Sequence, residues 1–335
     1  MGLNNRVSEK LIDSAARVEA YIEGILEPRR PEVLYDAARH LILAGGKRLR
    51  PYLTLKSCEL FDGDTEVAIP YAAGLEILHN FTLIHDDVMD HDDLRRGVPT
   101  VHVKWGEPMA ILSGDLLFVK VSQAMIEPAL NGKITADRAI SCIEKMSRAM
   151  IDICEGQALD TAFPSSEDVT EDDYLFMVGG KTAALFKACA EIGAIVGGAS
   201  DDDVEKLGSF AMNAGIAFQI VDDILGLTAD EATLGKPVGS DLREEKKTMI
   251  VIHALENASQ EELTALKRVL GVKDAKASDI EAANAALQSA GSIEYARQRA
   301  KDYVERATSA LNSYPETAAK RDLLELVEFF CSRIY

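Results

Sequence analysis

The chain has 335 residues, 47% of them hydrophobic, and a formal net charge of −19. This length and apolar content suffice for a sizeable core, and the acidity argues against nucleic acid or an anionic membrane as a partner, because both require a basic surface. Five scattered cysteines without a CxxC spacing predict buried thiols in a reducing, cytoplasmic setting.

Helical periodicity dominates from the N-terminus onwards. Leu11, Ala15, Val18 and Ile22 share one stripe of an amphipathic helix, and this segment lacks the apolar core of a signal peptide. We find no run of roughly eighteen apolar residues, so no membrane insertion is expected. Alternating β patterns are nearly absent, and glycine and proline breaks separate about ten to twelve helical segments. Residues 1–335 are therefore predicted to form one all-α domain of long, mostly antiparallel helices.

An acidic string, Asp86-Asp87-Val88-Met89-Asp90, ends one of these apolar helical runs. Composition alone would produce a D-D-x-x-D pattern in roughly one such chain in six. The acid clusters after Thr170 and Ser200 begin helices and are predicted to be structural N-caps. The helix dipole disfavours acids at a C-terminus, so capping does not explain Asp86 and Asp90. They lie one turn apart on one face and would repel without a cation between them, which predicts a site for a hard metal such as Mg²⁺.

A second acid pair, Asp222-Asp223, also lies late in an apolar run. Basic residues follow each acid pair along the chain, and two further basic clusters occur elsewhere. These residues are Arg95 and Arg96; Lys236, Lys246 and Lys247; Lys47, Arg48 and Arg50; and Lys181. In so acidic a chain this arrangement indicates a diphosphate bridged by Mg²⁺ and held by Lys and Arg, and two separate basic groups allow two diphosphates.

Five segments in order resemble the trans-isoprenyl diphosphate synthases, most closely the archaeal-type geranylgeranyl diphosphate synthases. They are GGKRLRP (45–51), HDDVMDHDDLRRG (85–97), GGKTAAL (179–185), FQIVDDILG (218–226) and LGKPVGSDLREEKKT (234–248). The resemblance implies helices around a central active-site cavity, with the two aspartate motifs facing each other across its mouth. It implies a prenyltransferase that joins isopentenyl diphosphate head to tail to an allylic diphosphate (dimethylallyl, geranyl or farnesyl), releasing pyrophosphate. A homodimer is also implied.

The resemblance assigns roles to individual residues. Three Mg²⁺ ions would be bound, two by Asp86 and Asp90 and the third by Asp222. The allylic diphosphate would be held by Arg95, Lys181 and Lys236, with Lys246 as a further diphosphate ligand. Isopentenyl diphosphate would be held by Lys47, Arg50, His79 and Arg96. The reacting centre would be lined by Lys181, Thr182 and Gln219, with Gln157 and Asp160 near the metals. The chain departs from the pattern at Gly226, where many relatives carry a third Asp, and at Glu245, where Gly usually precedes the Lys.

Product length is predicted from Phe81, five residues before Asp86. At 1.5 Å rise per residue it lies roughly 7–8 Å down the same helix, and Leu78 lies a further turn down. A bulky aromatic below the diphosphate would form the floor of the cavity. The first motif has no two-residue insertion, and this combination resembles synthases that make a twenty-carbon product. A fifteen-carbon, mixed or longer product remains an alternative.

Three other interpretations fit parts of the sequence less well. A class I terpene cyclase would not require an isopentenyl diphosphate site, so Lys47, Arg50 and Arg96 disfavour it. An inactive regulatory subunit is disfavoured by the intact acids and by Lys181 and Gln219. The Glu76-x-x-His79 spacing occurs in di-iron bundles, but that site requires a second Glu-x-x-His and the sequence has none.

Overall fold

The computed structural model describes residues 3–166, 168–228 and 239–331, and it confirms the all-α prediction. Lys236 lies outside these ranges, so its predicted role is not located. The helices of the N-terminal half are α1 (Leu3–Ile25), α2 (Glu32–Leu43), α3 (Leu49–Glu59), α4 (Thr65–Asp90), α5 (Val101–Trp105), α6 (Glu107–Leu130) and α7 (Ala136–Ala162). Those that follow are α8 (Glu171–Val178), α9 (Ala184–Gly197), α10 (Asp201–Thr228), α11 (Ser240–Arg243), α12 (Met249–Asn257), α13 (Gln260–Lys267), α14 (Ala277–Ser289), α15 (Ser292–Ala310) and α16 (Ala318–Cys331). A 3₁₀ turn (Phe163–Ser165) and a π-helical turn (Gly179–Ala183) complete the helical elements described.

The chain divides into two compact units, each assembled from three segments. The first unit contains Met1–Arg148, Ala188–Gly208 and Tyr314–Glu325, and the second contains Ala149–Lys187, Ser209–Ser313 and Leu326–Tyr335. Each unit contains part of the predicted site. A single domain over residues 1–335 stays a prediction.

Helix α4 is the longest element of the first unit and carries the first acid pair at its end. It begins at Asp64, whose side chain accepts a hydrogen bond from the Glu66 backbone N–H and so caps the helix. From Ala68 to Phe81 every residue except His79 is buried, and the helix packs beside α6. It ends at Asp90 because His91 adopts the left-handed conformation, with φ of 56°. The prediction that the apolar run and the acids form one helix is confirmed.

A two-stranded hairpin follows α4 and was not predicted. Strand β1 (Leu94–Arg95) pairs antiparallel with β2 (Val98–Pro99). The two turn residues, Arg96 and Gly97, have φ of 54° and 75°, as tight hairpin turns require. Strands of two residues are too short to show alternation, so the hydrophobic pattern carried no signal for them.

Two acid clusters have the structural role that the sequence predicts. Thr170 and Asp173 form a reciprocal capping box at the start of α8. Ser200 accepts a hydrogen bond from the Asp203 backbone at the start of α10. These acids therefore stabilise helix N-termini.

Three helices, α4, α6 and α10, are long and apolar enough by length and composition to cross a membrane. These windows include polar residues, such as Glu76 in α4, and so differ from the uninterrupted apolar run that the sequence lacks. In α4 and α10, 72% of the apolar window is buried within the fold, which accounts for the hydrophobicity of these two helices. In α6 the buried share is 44%, and several large apolar side chains remain exposed.

Candidate active site

The first aspartate pair separates into two acids with different surroundings. Asp86 is partly buried and Asp90 is exposed, both on the last turns of α4. Asp87 is fully buried, and its Oδ1 accepts a hydrogen bond from Arg95 Nε at 2.7 Å. Arg95 Nη2 also reaches Asp92 Oδ2 at 2.9 Å. The adjacent acids therefore differ in function: Asp87 holds the hairpin arginine, while Asp86 and Asp90 are the more accessible carboxylates.

Burial of Asp87 has an electrostatic cost that Arg95 partly offsets. Desolvation raises the pKa of Asp87 to about 6, against the lowering by the neighbouring Arg95 guanidinium, while Asp92 and Asp86 add to the rise. The same arginine is predicted to hold the allylic diphosphate. In this structure it is paired with Asp87 and Asp92, and its diphosphate contact stays a prediction.

Arg48 and Arg96 hold the Gly45-Gly46 loop through backbone carbonyls. Arg48 is almost fully buried, with Nη2 donating to the Ile42 carbonyl at 2.6 Å and Nη1 donating to the carbonyl of Gly45. Arg96 Nη1 donates to the carbonyls of Leu41 and Gly45. The loop is thus held by the guanidinium of Arg48, which follows it in the chain, and by that of Arg96 from the hairpin.

A buried carboxylate, Glu76, connects these arginines. It accepts from Arg48 Nη1 at 2.9 Å and from Asn80 Nδ2 at 3.2 Å. Asn80 Oδ1 in turn accepts from Arg96 Nη1 at 3.2 Å. The Glu76 carboxylate therefore contacts Arg48 and Asn80, whereas a di-iron site would employ it as a metal ligand.

The structure brings Arg50 and His79 together, as the shared substrate role predicts. Arg50 Nη1 lies 3.3 Å from His79 Nε2. Because a guanidinium only donates, Nε2 accepts and the ring proton lies on Nδ1. Burial, followed by the charges of Arg50 and Arg96, holds the pKa of His79 well below its usual value. Lys47 is exposed at the start of this segment, after two glycines with φ of 94° and 140°.

The second aspartate pair separates in the same way. Asp222 is exposed on α10, whereas Asp223 is buried and accepts from Tyr174 Oη at 2.6 Å and from Gln219 Nε2 at 2.9 Å. Gln219 Oε1 also accepts a hydrogen bond from Thr182 Oγ1 at 2.9 Å. The structure thus brings together Thr182 and Gln219, two of the residues predicted at the reacting centre. Asp223 therefore orients the side-chain amide of Gln219, which in turn accepts the hydrogen bond from the Thr182 hydroxyl.

Lys181 and Thr182 lie on the π-helical turn between α8 and α9. Lys181 Nζ contacts Asp160 Oδ2 at 2.5 Å. A Cβ at Gly156 would lie 2.2 Å from the Lys181 backbone nitrogen, and one at Gly180 would lie 2.5 Å from the Asp152 carbonyl. Only residues without a side chain permit α7 and this turn to approach so closely. The site residues of this turn were predicted from the sequence, but its π geometry was not.

Gln157 lies on α7 one turn before Asp160 and is 8% exposed. Within the described part of the chain, neither its amide oxygen nor its amide nitrogen has a hydrogen-bond partner. A buried amide left in this state is costly unless water or a ligand satisfies it. This is consistent with its predicted position near bound metal and diphosphate.

The two departures from the family pattern have local explanations. A Cβ at Gly226 would lie 3.0 Å from Asp241 Oδ2, so the buried Asp241 carboxylate borders the space that a third aspartate would enter. Glu245 has φ of 57°, a conformation that glycine adopts without strain. The Nζ of the next residue, Lys246, lies 3.1 Å from Glu244 Oε2.

Oxygen ligands for Mg²⁺ are available at the accessible acids. Among the residues described, no group of three or more His, Cys, Asp or Glu side chains is arranged to hold a metal ion. Mg²⁺ commonly binds through one or two carboxylates and completes its shell with water and substrate phosphate. Asp86 and Asp90, one turn apart, fit that mode and not an all-protein cage. Asp222 offers a single accessible carboxylate of the same kind.

Phe81 and Leu78 lie on α4 where the chain-length prediction requires them. Leu78 is fully buried and Phe81 is 8% exposed. The Phe81 ring contacts the rings of His85 and Phe118, with centroids at 4.7 Å and 5.3 Å. His85 lies four residues after Phe81 on the same helix, so this contact had a local sequence signal. Phe118 lies on α6, and its contact with α4 left none.

Known proteins resemble the chain over most of its length. The polyprenyl synthetase family model matches residues 31–287. The geranylgeranyl diphosphate synthase of Saccharolobus solfataricus is 47% identical over 304 residues, covering 90% of this chain and 91% of that protein. The geranylfarnesyl diphosphate synthase of Aeropyrum pernix is 44% identical, covering 89% and 93%. The crystal structure of geranylgeranyl pyrophosphate synthetase from Pyrococcus horikoshii superposes with a TM-score of 0.89 at 44% identity and covers 98% of both chains.

His79 predicts a pH dependence of stability. Its folded-state pKa is lowered, so below about pH 6.5 the unfolded chain takes up a proton that the folded chain does not. His79 should therefore lower the stability of wild type, relative to a variant without this imidazole, as the pH falls from about 7.5 to 5.5, by at most about 1.4 kcal/mol per pH unit. Asp223 and Asp87, whose pKa values burial raises to about 7 and about 6, act with the opposite sign and are present in both proteins. The measurement is the difference in unfolding free energy between wild type and His79→Gln, from urea unfolding across this range, and it should move against wild type as the pH falls. His102→Gln, on α5, is the control, and an equal pH-dependent difference from wild type in both variants would contradict the prediction.

The close approach at Gly156 predicts a difference between two Gly→Ala substitutions. Gly156→Ala should destabilise the chain by about 1–3 kcal/mol, because its methyl group would overlap the backbone of the π-helical turn. Gly179→Ala is the matched control, since a Cβ there meets no described atom within 4 Å. Thermal unfolding measures both. Similar melting temperatures for the two variants would show that the contact does not constrain the turn.

Proposed function

The chain belongs to the polyprenyl synthetase family of prenyltransferases, and from this premise we propose that it condenses isopentenyl diphosphate head to tail with an allylic diphosphate, releasing pyrophosphate. The observation that carries the proposal is the arrangement in the first unit. There, the accessible Asp86 and Asp90 lie in the last turns of α4. The same helix carries His79, and its Asn80 accepts a hydrogen bond from Arg96. A local concentration of basic side chains, among them Arg50 and Arg96, in a chain of net charge −19 fits the binding of a small, highly charged anion.

Two diphosphates are proposed to bind to distinct sets of residues. Lys47, Arg50, His79 and Arg96 bind isopentenyl diphosphate. Arg95, Lys181, Lys236 and Lys246 bind the allylic diphosphate. Support for the first set comes from the 3.3 Å contact between Arg50 and His79 and from the fixed loop that precedes Lys47. A neutral His79 can donate its Nδ1 hydrogen without adding to the repulsion among the arginines.

Metal binding is proposed at Asp86 and Asp90 for two Mg²⁺ ions and at Asp222 for a third. Bound Mg²⁺ supplies positive charge that makes pyrophosphate a better leaving group. The carboxylates orient the metal–diphosphate group, while Arg95 and Lys181 neutralise the charge that develops as the allylic C–O bond breaks. Substrate phosphate oxygens and water would complete the coordination of a metal held by these carboxylates.

The remaining steps require orientation and a dry site. The allylic cation is attacked by the alkene of isopentenyl diphosphate, and the adduct then loses a proton, for which the departing pyrophosphate is the base. Thr182 and Gln219, fixed to each other and to Asp223, provide oriented dipoles for the cation. Exclusion of water matters because water would convert the cation to an alcohol.

Geranylgeranyl diphosphate is the proposed product. Support comes from the similarity to geranylgeranyl diphosphate synthases and from the buried Phe81 ring, five residues before Asp86. A geranylfarnesyl diphosphate synthase is 44% identical to the chain, so overall identity does not separate twenty- from twenty-five-carbon products. Local residues around Phe81 must decide between them.

A homodimer in the cytoplasm is proposed as the working form. Helix α6 exposes large apolar side chains along its length, a pattern typical of a surface that another chain covers. These residues are Ile111, Leu112, Phe118, Val119, Ile126 and Leu130. A second copy of the chain would cover this face in a two-fold assembly.

Removal of a proposed metal ligand should abolish most of the activity. Asp86→Asn should reduce incorporation of radiolabelled isopentenyl diphosphate by about 100-fold or more, because a charge-stabilising group is lost. Chelation of Mg²⁺ by EDTA should abolish wild-type incorporation. Asp93→Asn removes the same charge from an exposed acid of the same string and should retain activity. Equal losses in both variants would contradict the assignment, and a hydrocarbon product would instead indicate a terpene cyclase.

Truncation of Phe81 should lengthen the product. Phe81→Ala removes the ring that is proposed to block the growing tail, so chromatography of the dephosphorylated products should show chains beyond twenty carbons. Phe176→Ala removes an exposed aromatic side chain of α8 and should leave chain length unchanged. Unchanged chain length in Phe81→Ala would refute the floor assignment.

A further inference from the structure

His85 lies on α4 between the metal-binding end of the helix and the proposed chain-length residue, and its described contacts are with Phe81 and with α6. Its ring lies one turn after Phe81 on the same helix, with centroids at 4.7 Å and planes inclined by 62°. This edge-to-face geometry is favourable for aromatic pairs. The imidazole is therefore the nearest described ring to Phe81.

Gly114 on α6 provides the seat for this imidazole. A Cβ at Gly114 would lie 2.2 Å from His85 Nε2 and 2.6 Å from Cδ2, so the ring occupies the space that any side chain at position 114 would fill. Nε2 also lies 3.3 Å from the carbonyl of Ile111, within hydrogen-bond reach. The His85 ring is thus fixed against the backbone of α6.

Phe118, one turn after Gly114, contacts Phe81 from another direction, with centroids at 5.3 Å. Phe118 is 37% exposed, whereas the contact of His85 with Gly114 is a close packing of a ring on bare backbone. Phe118 lies on the α6 face that a second copy is proposed to cover, so its surroundings depend on assembly, whereas the contact of His85 with Gly114 lies within one chain. His85 is thus the ring neighbour of Phe81 whose own position is fixed by the backbone of the same chain.

We propose that His85, seated on Gly114, is a positioning residue for Phe81, and that these residues together determine product chain length. The inference rests on the proposed function and deepens it. With the imidazole in place, the Phe81 ring stays across the path of the growing prenyl tail. Without the imidazole, Phe81 can turn into the space above Gly114 and leave the path open.

The test is the product distribution of four variants, assayed with isopentenyl diphosphate, farnesyl diphosphate and Mg²⁺. His85→Ala should raise the ratio of longer products to the twenty-carbon product by between about two- and ten-fold, the range expected for loss of one aromatic contact. Gly114→Ala should also alter the distribution, because its methyl displaces the imidazole. In the double variant the methyl group introduced at position 114 fills part of the vacated space, so the distribution should lie closer to wild type than that of His85→Ala.

Gly74→Ala is the matched control within the same pair of helices. A Cβ at Gly74 would make ordinary contacts of 3.5 Å or more with α6, so the product distribution should not change. If Gly114→Ala does not fold, His85→Ala and the control still decide the question. An unchanged distribution in His85→Ala, additive effects in the double variant, or an equal change in Gly74→Ala would each overturn the inference.

Failure of the proposed function is distinguishable from failure of the inference. Wild-type chain that incorporates no radiolabel would overturn the proposed function and the inference with it. Wild-type chain that is active, with variants that are active and unchanged in chain length, would overturn the inference alone.

Discussion

The first unit depends on one buried carboxylate. Glu76 is 2% exposed and lies amid Arg48, Asn80 and the loop they support. A buried ion pair adds little net stability, but loss of one partner leaves an uncompensated charge. Its value here is geometric, since the Glu76–Asn80–Arg96 chain of contacts joins α4 to the hairpin. The accessible acids and the basic cluster of this unit are thereby held to one scaffold.

The second unit relies on a different constraint, the absence of side chains. Gly156 and Gly180 let the backbone of α7 and the π-helical turn lie in contact, and Lys181 meets Asp160 beside them. π-Helical turns inside α-helices occur frequently at functional sites. Two glycines thus set the position of a charged and a hydroxyl side chain. A single methyl group added at either glycine would be enough to disturb the site, without any change in charge.

The helices were predictable from sequence, and so was the proximity of some candidate site residues, such as Arg50 to His79 and Thr182 to Gln219. The different surroundings of the two acids in each pair were not. Periodicity and the apolar run predicted α4 and placed Asp86 at its end. The separation of each acid pair required knowledge of burial, although a signal existed. Asp87 continues the buried stripe of Asn80 and Ile84 at helical spacing. Contacts between distant segments, such as His85 with Gly114, leave no periodic trace and could not be read from the chain.

The Gly45-Gly46 loop is held by hydrogen bonds from arginine side chains to backbone carbonyls, and this affects which mutations it tolerates. Arg48 and Arg96 bind the carbonyls of residues 41, 42 and 45, so those bonds do not depend on which side chains occupy these positions. Substitutions at positions 41 and 42 that keep the core packing would preserve the anchors, whereas the φ of 94° at position 45 favours glycine. An insertion or deletion of one residue between α2 and α3 would instead displace Arg48 relative to the carbonyls of residues 41 and 42, which lie in α2. Length is therefore the property of this loop that selection can act on most strongly.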